Sequence, residues 1–176
     1  MPYSVPGAKP RAPPPVKPGS ARTKAQTTRP MAEIGFYHLT RTGPDQALPA
    51  LLGRTLDLGK RALVVCPPDR VASLDDALWL CKSPDWLPHG TATMGHAEHQ
   101  PIWISPSPDP PNGATYLFIL DGTAANPAPF ERVFDLFDGG NEEAVAAARN
   151  RWRAAKADGH TLTYWQQNER GWERKA

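Results

Sequence analysis

Two short apolar runs, residues 61–66 (RALVVC) and 115–120 (TYLFIL), constrain the fold of this chain more than any other feature. A strand with one wet face alternates polar and apolar residues. Runs that stay apolar along their length suit strands covered on both faces, as in a mostly parallel sheet between layers of helix. Pro67 and Pro68 stop the first run, since proline has no N–H to continue a ladder. Residues 34–39 (IGFYHL), 102–105 and 161–165 (TLTYW) read as further strands, and 130–137 fits either a strand or a short helix. Between them lie helical patterns. Leu48, Leu51, Leu52 and Thr55 recur at helical spacing in 45–58, which Gly59 ends, and Val71, Leu74 and Leu78 do so in 70–80. Strands alternating with helices make an α/β domain, and right-handed crossovers make it a Rossmann-like three-layer domain with a mostly parallel sheet. Residues 106–112 (PSPDPPN) form a surface loop inside that domain, which spans 31–176.

Charge is unevenly spread. Residues 1–30 carry Lys9, Arg11, Lys17, Arg22, Lys24 and Arg29, no acid, and eight of the 21 prolines. Such a segment cannot bury enough apolar surface to offset the cost of ordering, and it reads as a disordered tail. Met31 directly precedes the first regular pattern, so it is also a candidate initiator. Removing the six tail cations from the net charge of +2 leaves residues 31–176 at −4. An acidic globular part argues against a general nucleic-acid binder. No run of about 18 apolar residues exists to span a membrane, and the start lacks the apolar core of a secretory signal. Cys66 and Cys81 have no CxxC spacing and read as free thiols of a cytoplasmic protein.

Catalytic signals are weak. Residues 53–60 (GRTLDLGK) have the wrong spacing for a phosphate loop, and they end a helix where such a loop begins one. After Leu39 comes TRTGPD, with a single glycine, so a dinucleotide site is not expected. His89, His96 and His99, with Cys81 upstream, raise a zinc site, but only His96 and His99 are closely spaced, in a stretch that reads as exposed loop. Asp121 at the end of TYLFIL stands where a small α/β nucleotide-binding or hydrolytic enzyme often keeps a carboxylate. With Gly122 it also reads simply as a turn. Trp79 and Trp86 flank a proline-stiffened stretch and suit either a core lid or an interface anchor.

Residues 141–159 (NEEAVAAARNRWRAAKADG) form a complete helix. Asn141 caps it, Glu142 and Glu143 face the positive end of its dipole, and Gly159 closes it. At roughly 100° per residue, Arg149, Trp152, Arg153 and Lys156 share one side. Ala144, Ala148 and Ala155 lie on another, small enough to sit close against a sheet. Arg151 points away from the stripe. A cationic stripe with an aromatic suits an acidic peptide with an apolar end, or a nucleic-acid strand. Taken alone, such a helix is more commonly a solvated face with one half-buried tryptophan.

The sequence resembles the chi subunit family of the bacterial DNA polymerase III holoenzyme. The resemblance is carried by FYHL at 36–39, GKRALVVC at 59–66, LDDALW at 74–79, WLPH at 86–89, FERVFD at 130–135 and ARNRWR at 148–153. It implies a non-catalytic accessory subunit of the clamp-loader assembly, without a cofactor. It also implies capture of the C-terminal tail of single-stranded-DNA-binding protein, an acidic peptide ending in a Pro-Phe carboxylate. By resemblance, that tail belongs to Arg149, Trp152 and Arg153; Lys156 adds a cation to the stripe, and Leu162 and Tyr164 of the last strand are expected to border the pocket. A second surface, for the psi subunit or a helicase, belongs to Trp79 and Trp86. The implied protein is a monomer or one half of a heterodimer in the cytoplasmic replisome, and it meets DNA only indirectly. Val145 and Ala146 stand where the family often has further basic residues. Two expectations compete with it: a small α/β nucleotide-binding or hydrolytic enzyme using Asp121, and direct DNA binding through residues 1–30. The final GWERKA has no assigned role.

Overall fold

The computed structural model describes residues 31–176; the tail 1–30, expected to be disordered, lies outside the described residues. Along the chain run β1 (Glu33–Leu39), α1 (Pro44–Asp57), β2 (Ala62–Val65), α2 (Val71–Trp79), β3 (His89–Thr91) and β4 (Ile102–Ser105). They are followed by β5 (Tyr116–Leu120), β6 (Arg132–Asp138), α3 (Glu142–Ala157), β7 (Thr161–Asn168) and β8 (Gly171–Arg174). The strands form one eight-stranded sheet in the order β3-β4-β2-β5-β6-β1-β7-β8. Every described pairing is parallel except β7 with β8.

The period of two in each strand sorts side chains between the two faces. Tyr37 and Leu39 of β1 join Val64, Phe118 and Leu136 beneath α1 and α2, which contribute Leu48, Leu52, Leu74 and Leu78. Ile34 and Phe36 join Leu63, Leu117 and Val133 on the opposite face, beneath α3, where Ala148 and Ala155 are buried. Helices therefore cover both faces, and the expected three-layer α/β arrangement is what the chain adopts.

One open expectation is settled, and other elements are added or extended. The stretch 130–137, compatible with strand or helix, enters β6 at Arg132, which runs to Asp138 and pairs in parallel with both β5 and β1. The short strand β3 was not among the expected elements. At the far edge, β7 continues to Asn168, and β8 folds back on it with Gln167 opposite Trp172, giving the unassigned C-terminal residues a place in the sheet.

The turn from β6 into α3 requires glycine at 139. A Cβ there would stand 2.7 Å from the Leu39 carbonyl oxygen and would collide with the His38 ring. The Gly139 amide donates to that same carbonyl at 2.7 Å, so the backbone cannot retreat without losing the bond. Gly139→Ala is expected to destabilise the fold by about 1–3 kcal/mol, read as a lowered denaturant midpoint. Gly43→Ala, at an open position, is the matched control.

Candidate functional site

Helix α3 starts just beyond the end of β6 and runs back across β1 and β7. Asn141 caps it, its side-chain oxygen accepting from the amides of Glu143 at 2.9 Å and Ala144 at 3.2 Å. Because Ala148 and Ala155 are small, the helix can approach the sheet, and Trp152 fills the gap between them. Its ring meets Phe36 edge-on at 5.2 Å and Tyr164 at 6.2 Å. Beside it opens a cavity of about 340 Å³, lined by Phe36, Phe137, Val145, Trp152 and Tyr164, with Arg149 and Arg153 also on its wall. Those two arginines are one helical turn apart and so stand together. Arg149 has no hydrogen-bond or ion-pair partner among the described residues. Arg153 gives one N–H to Asn150 at 3.1 Å and has no acidic partner among the described residues.

Arg151 has the opposite fate. Its Nε and Nη2 bond both carboxylate oxygens of Asp135, at 2.6 and 2.8 Å. The Asp135 side chain is only 3% exposed. Burial pushes its carboxyl upward, and the Arg151 fork pulls against that shift. The third arginine of the helix is therefore committed to the fold, while the other two face solvent uncommitted to any acid.

Beneath the cavity lies a residue that the sequence pattern did not single out. His38 stacks on Phe137 with centroids 5.1 Å apart, and its Nδ1 lies 2.7 Å from the Tyr164 hydroxyl. Burial lowers the imidazole below its usual range, and the nearby Arg149 charge lowers it further, outweighing Gly139 and Asp138. The hydrogen bond shared by the Tyr164 hydroxyl and His38 Nδ1 fixes the phenol on the cavity wall. The alternation of β1 places Phe36 and His38 on the α3 face, which was the available signal. Of the other expected residues, Leu162 packs into the core beneath α3 and Lys156 is exposed; neither lines the cavity. Ala176 does, its main-chain oxygen accepting from the Tyr164 amide at 3.0 Å.

A family model described as DNA polymerase III chi subunit, HolC, matches residues 31–163. The chain belongs to that family. Membership makes it an accessory subunit of DNA polymerase III, with a part in DNA replication. No curated protein matches the chain. The chi match takes in Trp79, Trp86, Arg149, Trp152, Arg153, Lys156 and Leu162, and stops one residue short of Tyr164. Most of β7 and all of β8 lie beyond it.

The remaining expected positions of this chi-family chain fall elsewhere on the sheet. Trp79 and Trp86 sit between the end of α2 and β3, at the opposite end of the strand order from α3, and are 54% and 70% exposed. Trp79 leans on the buried His89 ring at 4.7 Å. Asp121 lies at the carboxyl end of β5, in a turn with φ of 52°. Its carboxylate accepts from Arg70 Nε at 3.1 Å, while Arg70 Nη2 donates to Asp45 at 2.7 Å. Asp45, Arg70 and Asp121 thus engage one another at the strand ends where α/β folds commonly hold nucleotides. Residues 53–60 end α1 and leave it, with Lys60 paired to Glu131 at 2.6 Å. His96 and His99 are exposed, with rings 6.4 Å apart. Among the described residues no helix is long and apolar enough to cross a membrane.

Proposed function

We propose that the cavity beside Trp152 captures the C-terminal tail of single-stranded-DNA-binding protein and links it to the clamp loader during replication. The observation that carries this reading is the pair Arg149 and Arg153, free of acidic partners among the described residues, at an apolar, aromatic-walled cavity. The terminal phenylalanine of the tail enters against Phe36, Phe137 and Trp152. Its carboxylate meets Arg149 and Arg153, whose guanidinium forks suit bidentate bonding. Upstream acids run along the exposed side of α3 toward Lys156, where salt screens them. Leu162 packs against the same core layer as Trp152, and Tyr164 is held by His38.

The exposed Trp79 and Trp86 form the second surface, for a psi-like subunit or a helicase in its place. They lie at the other end of the sheet, so both partners fit at once. No cofactor is needed, the chain itself carries out no chemistry, and DNA is reached through the tail-bearing protein. It acts in the cytoplasm as a monomer or within a heterodimer.

Calorimetry on the full chain with a tail peptide tests the reading. The intact peptide is expected to bind with micromolar affinity, roughly −8 kcal/mol. A peptide lacking only its last phenylalanine should bind at least about tenfold more weakly, as expected for an unfilled cavity and a displaced carboxylate. Equal binding of the two would refute tail capture here.

A further inference from the structure

The geometry points to a second binding site on the opposite face of the sheet, for a peptide segment that pairs one aromatic side chain with one carboxylate. Neighbouring residues on two strands serve opposite faces: Phe36 and Tyr164 wall the cavity under α3, while Tyr37 and Trp165 turn to the α1 side. There they line a cleft of about 230 Å³ between the second half of α1 and the β7–β8 hairpin. Tyr37 and Phe134 stack as its floor, with centroids 5.5 Å apart. The hairpin supplies one wall, with Trp165 nearly parallel to Tyr37 at 6.2 Å and Trp172 edge-on to it at 5.0 Å. Leu58, 63% exposed, extends the apolar surface beside α1.

Two cations give the cleft its sign. Arg54 lines it, is exposed, and has no side-chain partner among the described residues. Arg132 lies over the Phe134 ring at 5.2 Å. Its Nη2 reaches Glu33 at 3.3 Å, and its Nε is buried without a hydrogen bond. An aromatic floor with one guanidinium over it and a second lining the cleft suits a flat side chain with an anion beside it. Glu33 and Glu131 flank the same region, and Asp57 follows Arg54 by one helical turn. A run of phosphates would meet those acids, whereas one carboxylate can pair with the uncommitted Arg54. The volume is also below the roughly 300–1,000 Å³ of sites for whole small ligands, which fits one inserted side chain. Trp165 and Trp172 lie beyond the matched region, which ends at residue 163, so this cleft is built partly from residues outside the chi match.

The test is a titration of the isotope-labelled full chain with acetyl-Asp-Phe-amide, followed by nuclear magnetic resonance. Saturable shifts are expected at the Trp165 and Trp172 indole N–H groups and at Arg54. Acetyl-Asn-Phe-amide should bind about fivefold more weakly, and so should the Arg54→Gln variant, whose exposed and unpaired side chain can be replaced without harm to the fold. Arg149→Ala, on the other face, should leave these shifts unchanged, which separates this site from the tail cavity. The inference is overturned by an absence of saturable shifts at those groups, or by equal binding of the two probes. It is also overturned if a short oligothymidylate moves the same signals and displaces the peptide, which would make the cleft a nucleic-acid site.

Discussion

Arg151→Ala is expected to destabilise the domain by about 3–5 kcal/mol, the range for removing one partner of a buried pair. The cost comes from what is left behind. Asp135, with its side chain 3% exposed, would keep a charge in an apolar layer between α3 and the sheet with nothing to balance it. Its carboxyl, already pushed up by burial, would rise further once the guanidinium is gone. Between its unfolded and folded pKa values such an acid holds a proton only in the native state, so stability falls as pH rises through that window. The deficit of Arg151→Ala should therefore be largest near neutrality and shrink on acidification. Urea unfolding at several pH values measures this. Replacing both partners together, Asp135→Leu with Arg151→Met, should restore much of the loss, because no charge is then stranded. A single variant as stable as the parent at pH 7 would show that the pair does not hold the layer together.

Arg149→Ala and Arg153→Ala should behave in the opposite way. Neither side chain has an acidic partner among the described residues, so the unfolding midpoint should barely move. Binding of the tail peptide should weaken by about 1.5–3 kcal/mol for each, the scale of a lost charge-assisted hydrogen bond. If both forks meet the same terminal carboxylate, the double variant should lose less than the sum of the singles. Calorimetry on the two singles and the double checks both points. Normal binding by Arg153→Ala would move the site off this helix. Three arginines within five residues of one helix thus have separate expected outcomes: one changes stability, and two change affinity.

Much of this division was legible in the residues. Helical periodicity put Arg149, Trp152 and Arg153 on one side and Arg151 on another, and the alanines marked the face that meets the sheet. The partner of Arg151 was not legible. It sits on β6, where apolar residues at 130, 133, 134, 136 and 137 satisfy a helical period as well as an extended run, and an aspartate among them gives no hint of burial. Only pairing with β5 and β1 settles the matter, and those contacts are distant in sequence. The His38–Tyr164 bond, 126 residues apart in the chain, was hidden for the same reason. β3 is too short to show a pattern. β8 escaped notice because an edge strand needs only one apolar side chain, and Trp172 is it.

The strand order carries one more consequence. Trp79 and Trp86 stand by the first strand of the sheet and Trp152 over the sixth and seventh. At about 4.8 Å per strand the two places are on the order of 25 Å apart, across a sheet tied together by backbone hydrogen bonds. A protein gripped at one end and a peptide gripped at the other would be held at a set separation, with no loop between them to slacken. The chain would then work as a stiff coupling bar: it keeps a tethered tail at high local concentration beside its partner, and the width of its sheet sets the reach.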